Sequence, residues 1–184
     1  MDVKLDEEGK EVEEPLPPIG NMPDIIADSK VWEWAGVSFG EYELMLLVKS
    51  IKTLAKDSAA TQLRLWGKIK GTTKDYYVVE GSVAGGEEEG GEAQAEGQEA
   101  SGTGVNKFVY WVANSPIDPW TKLPDLKPMD IINARAIKYA LSGNLDAKIF
   151  TNPFYFETEK TYLRAQIARI TQSTTLVPKG LYKF

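Results

Sequence analysis

Apolar residues recur along this chain with two different periods. Leu44, Leu47, Val48, Ile51, Leu54 and Ala55 fall at i, i+3, i+4 and i+7 spacings. That stripe predicts an amphipathic helix running to about Lys56. Glu43, Lys49, Lys52 and Lys56 fall mostly off it. Ser38 and Glu41 have capping-box spacing, and Val37 and Tyr42 have that of a hydrophobic staple. From Gln62 the period becomes two. Leu63, Leu65, Gly67 and Ile69 are expected on one face of a strand, with Arg64, Trp66, Lys68 and Lys70 on the other. Gly71–Lys74 reads as a turn. Asp75–Val83 then returns, with Tyr76, Val78 and Glu80 alternating against Tyr77 and Val79. Asn106–Ala113 predicts a third strand, antiparallel to the second across a long connection.

The flanking segments are less regular. Met22–Ala27 suits a short turn or helix. Val31–Val37 carries Trp32 and Trp34, either on one side of an extended segment or about half a turn apart on a helix. Core packing and an anchor in a partner's groove both fit that pair. Four prolines and Trp120 stiffen residues 114–128. Pro128 and Asp130 suit the first turn of a second helix reaching Leu141, with Gly143 as its C-terminal cap. Asn144–Phe150 reads as a turn into a short extended piece, and Asn152–Phe156 as an aromatic connection. Glu159–Thr171 reads as a third helix with rows Tyr162/Ala165/Arg169 and Leu163/Ile167/Ile170, though its β-branched end leaves a strand open. The expected fold is a single α+β domain: a mainly antiparallel sheet packed with about three helices.

Charge divides the 184-residue chain. Its net charge is −6, but residues 1–14 carry seven acidic and two basic side chains, and residues 85–104 carry six glutamates and nothing basic. The remainder is therefore net +5. Both acidic segments lack the apolar content to offset ordering and are expected to be disordered. The tail, with its Pro-rich extension, covers 1–21 and the folded domain 22–184, interrupted by the insert at 85–104. The basic residues of the domain are scattered, so an ordinary solvated surface explains them better than a nucleic-acid footprint.

Candidate chemistry is sparse. The absence of Cys and His removes disulfides, thiol nucleophiles, the usual neutral-pH base and the commonest metal ligand. Carboxylate or lysine chemistry stays formally open. Asp24/Asp28 and Glu157/Glu159 are the candidate acid pairs, and simple solvation explains both better. Gly67-Lys68 lacks the Ser/Thr and upstream glycines of a phosphate loop, and Glu87–Glu89 lacks the spacing of a calcium loop. No catalytic residue, metal or cofactor is expected. The acidic start of the chain does not resemble a signal peptide, and a cytosolic compartment fits. No apolar run is long enough for a membrane helix. Candidate protein-interface residues are Arg64, Trp66 and Lys68, where a Trp sits among cations, together with Trp111 and Trp120. Full burial of all three tryptophans would defeat that expectation.

Several segments together resemble the radial spoke head proteins 4 and 6 family of motile cilia. They are Met22–Ile25 with Trp34–Glu41, Leu63–Ile69 with Gly71 and Tyr76–Glu80, Gly104–Val112, Pro119–Pro124, Ala134–Lys138 with Gly143–Ala147, and Tyr162–Ile170. Their order and spacing hold from Met22 to Phe184. The resemblance implies a non-enzymatic subunit of the axonemal radial spoke head, carrying mechanical signals between the central pair and the dynein arms. It implies pairing with related radial spoke head proteins 4 and 6, as homo- or heterodimer. It also implies contacts with radial spoke head protein 9, other head subunits and central-pair projections, and none with nucleic acid or membrane. Family members continue past the position of Phe184, so a compact paralogue or a fragment is expected. The apolar Phe184 itself suggests a cut. The alternatives are a nucleic-acid-binding module using the basic, aromatic-rich core and, less favoured, a carboxylate hydrolase.

Overall fold

A computed structural model describes residues 22–34, 36, 38–58, 60–83 and 99–173. Helices α1 (Ile25–Trp34) and α2 (Glu41–Asp57) come first. Strands β1 (Ala60–Ile69) and β2 (Tyr76–Val83) follow, then a 3-10 turn at Gly104–Asn106, β3 (Val109–Ala113) and β4 (Thr121–Lys122). Helices α3 (Pro128–Ala136) and α4 (Glu159–Ser173) complete the order. The strands form one antiparallel meander, β1-β2-β3-β4. The α+β class and antiparallel sheet agree with expectation. The described helices number four because the Trp32/Trp34 segment is helical.

The sheet separates two cores. On one face Leu63, Leu65, Tyr77, Val79 and Trp111 meet Leu44, Leu47, Ile51, Leu54 and Ala55 of α2 and Ile25 of α1. On the other, Tyr76, Val78, Tyr110 and Val112 meet Leu163 and Ile167 of α4. Behind α4, Tyr162, Ala165 and Ala168 pack with Ala134 of α3, Leu126, Ile149 and Tyr155. Thus α4 is covered on two sides, which explains its broad buried surface. Ile170, expected in its apolar row, is exposed.

Helix ends depart from the pattern in three places. The Ser38/Glu41 capping box does not form: α2 begins at Glu41 behind an extended Gly40 with no side-chain cap, and the Ser38 hydroxyl donates to the Phe39 carbonyl. Tyr42 is exposed instead of stapled, and Val37 lies outside the described residues. Asp24 caps α1, accepting from the Ile26 and Ala27 amides. Finally, α3 stops at Ala136 and Gly143 caps no helix. Residues 141–142 instead accept backbone hydrogen bonds from Thr72, Thr73 and Lys74 of the β1–β2 turn. Gly143 has φ +98°, and a Cβ there would lie 2.6 Å from the Lys74 carbonyl oxygen. Close approach of two loops explains this glycine.

The connection from β2 to β3 is described from Glu99 onward. Asn106, fully buried, donates to the Glu99 and Leu126 carbonyls and accepts from the Leu126 amide. One amide side chain thereby ties this return to the segment before α3. Residues 99–104, expected within the acidic insert, form a turn here; 84–98 lie outside the described residues.

Candidate protein–protein interface

The expected contact face on β1 is broken by the backbone. Register shifts between Leu65 and Gly67, so that Leu65 faces Val79 while Lys68 faces Tyr77. This β-bulge adds a residue to β1 and reverses the facing of everything after it. Arg64 and Trp66 therefore lie on the α4 side with Ile69, and Lys68 on the α2 side. The grouping of Arg64, Trp66 and Lys68 on one face, and of Ile69 with Leu65, is corrected by that one inserted position. A period-two reading cannot see a bulge, although Gly67, at φ +156°, is its usual marker.

Each of these side chains has an intramolecular partner. The Arg64 Nε and an Nη donate to one oxygen of buried Glu80 at 3.1 and 2.8 Å. Tyr110 donates to the other Glu80 oxygen at 2.9 Å. Trp66 Nε1 donates to the Thr171 hydroxyl of α4 at 3.1 Å. Lys68 donates to Glu43 of α2 at 2.9 Å and to the Tyr77 hydroxyl at 2.8 Å, and Tyr77 donates in turn to Glu43. Burial opposes the charged ammonium, but the bonds to Tyr77 and Glu43 outweigh it and raise Lys68 above the usual lysine value. Trp111 is only 7% exposed and belongs to the α2-side core. Trp120 is half-buried, its Nε1 donating to Ser50 of α2 at 2.8 Å.

The candidate carboxylate pair Glu157/Glu159 also resolves differently from expectation. Glu157 is exposed, whereas Glu159 is 0% exposed at the first turn of α4. Its two oxygens accept from the Tyr76 hydroxyl at 2.7 Å, the Tyr139 hydroxyl at 3.0 Å, the Ser142 amide and hydroxyl, and the Gly143 amide at 2.9 Å. Burial alone would raise its pKa, yet the donors outweigh burial and lower it. A carboxylate held ionised by so many donors is a structural acceptor and a poor proton shuttle. Burial and the adjacent Glu80 push the Tyr110 hydroxyl up to about 12. Arg164 of α4 is buried over the Tyr110 ring at 4.5 Å and donates to the Val105 carbonyl. Among the described residues no three Asp or Glu side chains converge to hold a metal ion.

The surface carries features that pattern reading passed over. Phe150 and Phe156 are 79% and 83% exposed, and Phe154 sits between them with ring centroids 6.5 and 4.9 Å away. Tyr155, between Phe154 and Phe156 in sequence, points inward and is buried. Alternation along 154–156 thus anchors the loop by one ring and presents the others to solvent. Trp34, Tyr42 and Met45 are also exposed on α1 and α2. The aromatic density of 150–156 was the available signal.

Residues 2–101 and 92–184 match the family described as radial spokehead-like protein. The chain is 34% identical to human radial spoke head protein 4 homolog A over 194 residues, 89% of this chain and 27% of that protein. It is 32% identical to Xenopus tropicalis radial spoke head protein 6 homolog A, over 96% of this chain and 39% of that protein. It is 32% identical to Chlamydomonas reinhardtii flagellar radial spoke protein 4, over 86% of this chain and 38% of that protein. The chain therefore spans about a quarter to two-fifths of the length of these relatives. It belongs to the radial spokehead-like family.

Proposed function

We propose that this family member is a structural subunit of the radial spoke head in the ciliary or flagellar axoneme, and that it works by assembly and not by catalysis. The observation that carries the proposal is the family match across both halves of the chain. The arrangement of the site supports it. The buried carboxylates Glu80 and Glu159 are occupied by internal donors, while large aromatic side chains stand in solvent. Exposed rings held by a packed scaffold are the usual anchors of protein interfaces. Partners in this reading are related radial spoke head proteins 4 and 6, radial spoke head protein 9 and central-pair projections. The guanidinium of Arg64 and the open edges of Trp66 and Trp120 contribute at the rim. Trp111 contributes only by supporting the sheet.

The nucleic-acid reading gains no support from β1, where the bulge sends Lys68 to the opposite side from Arg64 and Trp66. The test of the axonemal reading is fractionation of ciliated cells expressing the tagged chain. The chain is expected to remain with axonemes after detergent removes the membrane. Complete release with the soluble matrix would contradict it.

A further inference from the structure

The outward face of α2 carries a second pattern that its core stripe does not explain. Tyr42, Met45, Lys49, Lys52 and Lys56 are spaced three and four residues apart in alternation. That is heptad spacing, and it places all five along the side opposite Leu44, Leu47, Ile51 and Leu54. All five are exposed; Tyr42 is 76% and Met45 67% accessible. A shallow surface depression of about 420 Å³ lies among Met45, Val48, Lys49, Lys52, Thr53 and Lys56, all on α2. None of the three lysines pairs with a carboxylate among the described residues, whereas Arg64, Lys68 and Lys70 all do. Like charges three and four residues apart oppose helix formation. The row thus combines unneutralised charge with exposed apolar surface, and both are relieved by one kind of neighbour.

We propose that this face of α2 docks an amphipathic helix of a partner protein. The helix is acidic where it meets Lys49, Lys52 and Lys56, and apolar where it meets Tyr42 and Met45. Charge complementarity selects the acidic half, and a row running along one helix face, apolar at one end, suits an amphipathic helix laid against it. The macrodipole sets the direction. Acidic residues are favoured in the first turns of a helix, so the partner's N-terminal half lies beside the Lys56 end and the two helices run antiparallel. The inference uses the assembly reading only in requiring a protein partner, and its test needs no axoneme, so the two can fail separately.

The test uses the full chain and a designed 21-residue helix. The peptide has glutamates on one face of its N-terminal half and leucines on the same face of its C-terminal half. A scrambled peptide of equal composition serves as control. Fluorescence anisotropy is expected to show saturable binding that weakens with added salt. The scrambled peptide and the Lys49→Glu/Lys52→Glu/Lys56→Glu variant should each lose at least about tenfold in affinity. The Met45→Ser variant should also weaken binding. These positions face solvent, and circular dichroism should show the variants folded. Equal binding of the scrambled peptide would overturn the proposal, since charge alone would then account for it. So would no binding by the wild-type chain. A spin label on the peptide's N-terminus should broaden amide signals near Lys56; broadening near Tyr42 would overturn the antiparallel orientation.

Discussion

The two faces of the sheet are held by different physics. The α2 side is an apolar contact: Leu63, Leu65, Val79 and Trp111 against a leucine-rich helix stripe, with its polar triad Glu43, Lys68 and Tyr77 at the margin. The α4 side mixes apolar packing with buried charge. Glu80, Glu159 and Arg164 all lie in the interior there, and their partners come from separate parts of the chain. Burial of apolar area is nondirectional and tolerates small shifts. A buried carboxylate with fixed donors specifies one arrangement of the loops that supply them. The α2 side therefore supplies cohesion. The α4 side fixes how the β1–β2 turn, residues 139–143 and α4 meet.

Removing the Glu159 carboxylate should break that contrast most sharply. Glu159→Ala leaves the Tyr76 hydroxyl and the Ser142 and Gly143 amides without their acceptor, and should cost about 3–5 kcal/mol in urea unfolding. A loss below 1 kcal/mol would mean that the loops do not depend on it. On the opposite face, Leu47→Ala should cost about 2–5 kcal/mol through transfer and cavity terms. Its effect should be equally large at every pH, unlike that of Glu159.

The pH dependence separates the two faces further. Glu159 has a folded pKa below the ordinary value of 4.5, so its stabilisation is fully present above that value. It is lost as pH falls through the lower, folded value. Glu159→Gln should therefore flatten the acid limb of the stability profile below about pH 4.5, while Leu47→Ala should shift the whole profile down. Parallel profiles for wild type and Glu159→Gln would remove the linkage argument. Smaller still is Arg64→Ala: its side chain is largely solvent-exposed, so loss of the pair with Glu80 should cost about 1 kcal/mol or less in a thermal melt.

Legibility in the sequence followed the same division. The α2 stripe, the alternation of β2 and the helix at α4 could be read because apolar periodicity carries them. The buried charges could not. Glu159, Glu80 and Arg164 have the composition of a solvated surface, and only the folded chain brings Tyr76, Tyr110 and Ser142 to them. The shared facing expected of Arg64, Trp66 and Lys68 failed for a different reason. A single extra residue at the bulge inverts facing, and periodicity assumes that there is none. The Phe150/Phe154/Phe156 surface was visible as aromatic density, but a sequence does not say which rings turn inward.

Under the proposed function, this scaffold holds exposed aromatic side chains for assembly with radial spoke head proteins. Affinity isolation of the tagged chain from ciliated cells, with mass spectrometry of what accompanies it, tests that claim most directly. Radial spoke head proteins should accompany the wild-type chain and be depleted with a folded Phe150→Ser/Phe154→Ser/Phe156→Ser variant, whose stability should change little. Recovery of the wild-type chain without any axonemal protein would contradict the claim.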